Sequence, residues 1–307
     1  MNNSTYYSSQ TQTCVDKDLG GIESATNVNQ FELYDPSSKK LRRLITIIGE
    51  HHEQTFKCGG ANDITIYQYL KKRVIDNERC RFLMEYHPAL PKQDVSKIGT
   101  EVIRSVFSTS EKVNGSIQDR VDGVDIRENY ITRDGQSLLY NEDQAFKKRY
   151  VDSMEITAVI EDFIQPFDVE RLKRDFPIPR SCGNRRDLEK YLESVAATFR
   201  DCYSSFVALK KIGNEKTKFN DCVYKLKVAW AKVMDYVILL HICCFSKEVN
   251  EVIVVIGEFH RQNISNTMKE WSNCKMITGS GELNQTKSKN NCVRKKNLKV
   301  ICKNNVN

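Results

Sequence analysis

Leu44-Ile45-Thr46-Ile47-Ile48-Gly49-Glu50-His51-His52 reads as a strand that ends in chemistry. The run through Ile48 is apolar on both faces, as an inner strand of a parallel or mixed sheet must be. Far downstream, Val252-Ile253-Val254-Val255-Ile256-Gly257-Glu258-Phe259-His260 repeats the arrangement. Both copies carry Ile-Gly-Glu-x-His after a β-branched run and before a polar stretch that leads to a helix. Residues two apart on extended backbone point to the same side, so Glu50 should converge with His52, and Glu258 with His260. The glycine lets the backbone turn tightly at the strand end and clears an approach that a side chain would obstruct.

Outward from these copies the pattern alternates. Arg81-Phe82-Leu83-Met84-Glu85 is a second strand stopped by Pro88, and Val121-Asp122-Gly123-Val124-Asp125-Ile126 is a third that ends at Arg127. A helix is predicted from about Asp63 to Asp76, with Ile64, Tyr67, Leu70 and Val74 on one face and Asn62 or Asp63 as its cap. Further helices are predicted over Asp187 to Leu209, Asp221 to Phe245 and Ile264 to Trp271. Strand-helix alternation argues for an α/β fold: a mixed, largely parallel central sheet flanked by helices, with an active cleft at the strand C-terminal ends. The expected organisation is a flexible N-terminal arm over 1–40, an α/β domain with a helical middle over 41–280, and a disordered basic tail over 281–307.

The 307 residues suffice to bury a core, and 40% hydrophobic with 28% charged residues is an ordinary globular balance. The net charge of +7 is concentrated between Lys287 and Lys303, which hold no acid, so the rest is close to neutral. Such a tail is read as solvated. A nucleic-acid partner would have to be met through Arg294, Lys295, Lys296, Lys299 and Lys303, which lack interleaved aromatics for base stacking. Eleven scattered cysteines without a Cys-x-x-Cys pair are read as reduced thiols of an intracellular, cytoplasmic protein. The most apolar run, Val233 to Phe245, is interrupted by Asp235 and His241 and is shorter than the roughly 20 residues a bilayer needs. No membrane span is expected. Phosphate-binding glycine loops, the nucleophile elbow and the zinc-helix motif are all missing.

Only five histidines are present, and His51, His52 and His260 follow buried-type strands directly. Glu50, His52, Glu258 and His260 gathered at one sheet edge, with Glu85 as a further carboxylate, can bind a divalent metal. They can instead work without one, histidine acting as general base and glutamate orienting it. Arg127 would supply a cation for an oxyanion or a substrate carboxylate. His87 beside Pro88 reads as a loop residue and His241 as a core histidine.

With these motifs the chain resembles the erythromycin esterase, ChaN-like and TraB/TIKI superfamily, over roughly Leu41 to Trp271. Glu50 and His52 match the first Gly-Glu-x-His, Glu85 the acidic strand end, and His260 the second Gly-x-x-His, while Arg127 stands at a basic position. Met234-Asp235-Tyr236 leading into the last strand is similar to proteins of large DNA viruses, in which an Arg often follows the Asp where His241 stands here. Members of the superfamily hydrolyse macrolide esters, resemble metal-dependent proteases, or bind haem. The resemblance thus implies a site more than a substrate. The expectation is a hydrolase of ester or peptide bonds acting on a small-molecule or peptide substrate. Its working residues would be Glu50, His52, Glu85, Arg127 and His260, and Glu50, His52, Glu85, Glu258 and His260 would hold any divalent metal. A non-catalytic protein that binds haem or a host factor is the alternative.

Overall fold

A computed structural model describes residues 13–15, 21–50, 62–91, 94–95, 100–108, 117–130, 167–212, 216–279, 293–294 and 298–301. In chain order the strands are β1 (Thr13–Val15), β2 (Gly21–Glu23), β3 (Ala25–Tyr34), β4 (Leu41–Glu50) and β5 (Ile64–Thr65). Helix α1 (Ile66–Asp76), β6 (Cys80–Met84), α2 (Glu101–Ser108) and β7 (Val121–Gly123) follow. Next come α3 (Val169–Asp175), α4 (Arg185–Ile212) and α5 (Lys216–Cys244). The chain then gives β8 (Glu251–Gly257), α6 (Glu258–Lys269), β9 (Cys274–Gly279), β10 (Val293–Arg294) and β11 (Lys299–Ile301). These elements fall into two compact units, Met1–Gly123 with Phe245–Asn307, and Val124–Cys244.

The first unit carries the expected α/β architecture. Its six-stranded sheet has the order β7-β6-β8-β4-β3-β9, and β7, β6, β8 and β4 run parallel. Strand β3 is antiparallel to β4 and to β9. The middle strands are largely apolar on both faces because both faces are covered, and every residue of β8 is buried. On one side Ile48, Phe82, Met84, Ile253 and Val255 pack with Tyr69, Leu70 and Val74 of α1 and Ile103 and Val106 of α2.

The boundaries of α1 differ from the reading above. Thr65 is its N-cap, in a capping box with Gln68. Ile64 belongs to β5, and Asp63 accepts from the Gly21 amide at 2.6 Å. Tyr69 and Arg73 lie on the buried face with Leu70 and Val74.

The termini also differ from the expected arm and tail. Strand β3 lies inside residues 1–40 and is a member of the central sheet. Its buried polar residues are satisfied by distant partners: Gln30 donates to Thr46 Oγ1 at 2.9 Å and to the Lys299 carbonyl at 2.9 Å, and accepts from the Lys299 amide at 2.8 Å. Leu298 is fully buried in the core, and Lys299 Nζ meets Glu32 Oε1 at 3.0 Å. The basic segment therefore contributes to the core at 298–301, and one lysine proposed for nucleic acid is paired internally. Lys295, Lys296 and Lys303 lie outside the described residues. Cys14 is disulfide-bonded, with its partner outside the described residues, while seven described cysteines are reduced thiols. The expectation of reduced thiols thus holds for those seven and not for Cys14.

The second unit is helical. Along α4 and α5, Leu188, Leu192, Val195, Leu226, Val233 and Val237 are buried, and Phe167 stacks on Phe199 at 4.2 Å with Trp230 edge-on. Asp235 is fully buried beside Tyr191, whose phenol is pushed well up by burial and by that carboxylate. The Tyr236 hydroxyl donates to the Phe176 carbonyl at 2.9 Å. Among the described residues no helix is long and apolar enough to cross a membrane.

Candidate functional site

Parallel pairing brings three of the expected residues to one edge of the sheet. The register sets Glu50 of β4 beside Gly257 of β8, and Met84 of β6 beside Val255. Glu50 therefore closes β4 and Glu85 follows β6 on the two strands that flank β8, their backbones roughly 10 Å apart. Strand β8 ends between them, and its successor α6 begins at once.

Glu85 is held against that helix start. Its Oε2 accepts from the Gly257 amide at 3.0 Å, and Gly257 is the N-cap of α6. A carboxylate is favourable there, where helix amides point outward without intrahelical partners. Its other oxygen, Oε1, lies 3.8 Å from His260 Nε2. That separation is wider than a hydrogen bond but suits a charge pair or a shared proton in a substrate complex. His260 is 6% exposed and Glu50 4% exposed. Thr100 Oγ1 donates to Glu50 Oε2 at 3.3 Å and accepts from the Ile103 amide at 3.5 Å, so one hydroxyl joins the start of α2 to the end of β4.

Glu258 departs from expectation. The second Ile-Gly-Glu-x-His is not extended past Gly257, because Glu258 is the first residue of α6. At about 100° per helical residue, Glu258 and His260 point in roughly opposite directions. Glu258 turns toward β3: Thr26 Oγ1 donates to its Oε2 at 2.8 Å and Asn27 Nδ2 to its Oε1 at 3.1 Å. Arg261 closes on it with Nε at 2.7 Å and Nη2 at 2.6 Å, and Gln262 Nε2 adds a bond at 2.9 Å. Arg261 Nη1 also donates to Asn29 Oδ1. These five donors occupy the lone pairs a metal would need, so Glu258 is a structural carboxylate.

Burial alone would raise the Glu258 carboxyl, but donation from Arg261, Gln262 and Thr26, with the Arg261 charge, holds it below its ordinary value. Glu32 behaves alike: burial raises it, and Tyr34 and Lys299 more than offset this. A depressed folded value stabilises the fold above the unfolded value of about 4.3, and the contribution is lost as pH falls through the folded value. The melting temperature is therefore expected to decline from about pH 4.3 downward. Scanning calorimetry across pH 3–7 should show a flatter acid limb in Glu258→Gln, and an unchanged limb would count against the hydrogen bonds on Glu258 as its source.

His51 and His52 lie outside the described residues. Arg127 belongs to the second unit, in a single helical turn at Arg127–Asn129. Its guanidinium closes on Asp125 through Nε and Nη2, each at 2.7 Å, instead of presenting an open fork. Among the described residues no group of three His, Cys, Asp or Glu side chains is gathered to hold a metal ion. Sequence reasoning missed Thr100, although a Thr followed by Glu101 and then the apolar-periodic Val102, Ile103 and Val106 is a helix-start signal. It missed Thr26, Asn27 and Arg261 because no local pattern announces them. In comparisons with known proteins, no family model matches this chain, and no curated protein or solved structure matches it significantly.

Proposed function

We propose that the sheet edge at Glu50, Glu85 and His260 is the working site of a hydrolase for ester or peptide bonds. The observation that carries the reading is the buried His260 beside a Glu85 that the Gly257 amide already fixes. Glu85 holds the imidazole and stabilises the imidazolium that forms during turnover. His260 takes a proton from water as the water oxygen attacks the carbonyl carbon. It returns that proton to the departing alkoxide or amine as the carbon–heteroatom bond breaks. Glu50, two residues before His52, is the second carboxylate of the edge. With Glu85, His52 and His260 it is a residue the superfamily resemblance would assign to a divalent cation, but Glu50, Glu85 and His260 are not gathered to hold one.

The test is a panel of nitrophenyl esters and fluorogenic peptides assayed with the parent and with His260→Ala, Glu85→Gln and Glu50→Gln. Turnover is expected in the parent and loss to background in His260→Ala. Turnover equal in parent and His260→Ala would sink the reading. Metal content of the purified protein and a Soret titration with haem run alongside. A haem shift that disappears in His260→Ala, with no turnover in the parent, would favour a binding protein instead.

A further inference from the structure

The two Ile-Gly-Glu copies look equivalent in sequence, yet they are built as complementary halves. Adjacent parallel strands carry them one residue out of register, Gly49 facing Ile256 and Glu50 facing Gly257. A Cβ at Gly49 would collide with Glu258 Oε2 and stand 2.7 Å from Thr26 Oγ1 and 3.0 Å from Arg261 Cδ. The glycine of the first copy is thus the socket into which the glutamate of the second fits.

The sheet order gives this fit a direction. Strands run β6-β8-β4-β3, so Glu85 lies to one side of β8 while Thr26 and Asn27 lie two strands away on the other. Helix α6 starts above β8 with no side-chain cap of its own. One hydrogen bond, from the Gly257 amide to Glu85, ties its start to the edge, and buried Ile264, Ser265 and Met268 seat its later turns. Glu258 crosses β4 over Gly49 and docks on β3, and Arg261, one turn on, docks on the same side through Glu258 and Asn29. His260 lies about 200° round the helix from Glu258, so drawing Glu258 toward β3 turns His260 toward β6.

We propose that Glu258 is a positioning residue: by docking on β3 across Gly49, it sets the rotation of α6 that presents His260 to Glu85. The proposal rests on the reading of Glu85 and His260 as a working pair, but its own test needs no substrate.

The test is the His260 ring signal in long-range proton–nitrogen spectra of the full chain, assigned with His260→Gln. Glu258→Ala is expected to move that signal while those of His87 and His241 stay in place. A general loosening of the fold would move all of them. Should Glu258→Ala not fold, Thr26→Val removes one docking bond and leaves the Arg261 pair, and a smaller displacement in the same direction is expected. A His260 signal unmoved in either folded variant overturns the proposal while leaving the hydrolase reading intact. A moved signal with no turnover in the parent does the reverse.

Discussion

Arg73→Met is expected to destabilise the protein by about 3–5 kcal/mol, the cost of leaving a buried carboxylate without its cation. Arg73 is 1% exposed and Glu251 is 0% exposed. The guanidinium meets both carboxylate oxygens, Nε to Oε1 at 3.2 Å and Nη2 to Oε2 at 2.7 Å. Asn77 Nδ2 donates to the same Oε2 at 2.8 Å and to Asn250 Oδ1 at 2.9 Å. Burial works against the charge on Arg73, yet the facing carboxylate outweighs it and raises the guanidinium above its ordinary value. Glu251 opens β8, so this pair joins α1 to the N-terminal end of the strand whose other end carries the candidate site. In thermal melts the loss should read as roughly 10 °C, at 2–4 °C per kcal/mol for domains of this size. Adding Glu251→Gln removes the orphaned charge and should recover part of the loss. The pair is the wrong anchor if Arg73→Met costs less than ~1 kcal/mol, or if Glu251→Gln deepens the loss instead of relieving it.

That anchor marks where the sequence stopped being readable. Strands β4, β6 and β8 were legible because burial on both faces leaves mostly apolar residues, and that signal is local. Glu50 and Glu85 could be placed at the C-terminal strand ends for the same reason. Arg73 was not, since a charged residue on a helix face is ordinarily solvent-facing, and the Glu251 that buries it is 178 positions away. Strand β3 was hidden likewise: Asn27, Asn29, Gln30 and Glu32 look like an exposed arm until Glu258, Arg261, Thr46 and Lys299 are brought against them. The second motif misled through geometry. Two-residue periodicity holds only while the backbone stays extended, and Gly257 hands it to a helix at the next residue.

Gly49→Ala is expected to cost about 2–3 kcal/mol, near the upper end for forcing one methyl group into a packed site. Gly49 has no left-handed φ, so any strain comes from space alone. Limiting the conformations of the unfolded chain would return about 0.4–1 kcal/mol, too little to reverse the sign. The new methyl must displace Glu258, the group that Thr26, Asn27, Arg261 and Gln262 all hold. Relieving the clash therefore means breaking charge-assisted bonds, each stronger than a neutral one. The signature is non-additivity. In a Glu258→Ala background the nearest obstacle is gone and Thr26 can rotate away, so Gly49→Ala should cost much less there. A coupling of about 0.5–3 kcal/mol is the range for residues in contact. Urea denaturation of the parent, both single variants and the double variant closes the cycle. Strict additivity would mean that Gly49 and Glu258 stabilise the fold independently, and the socket would then be an accident of close packing rather than the reason for a glycine in the first copy.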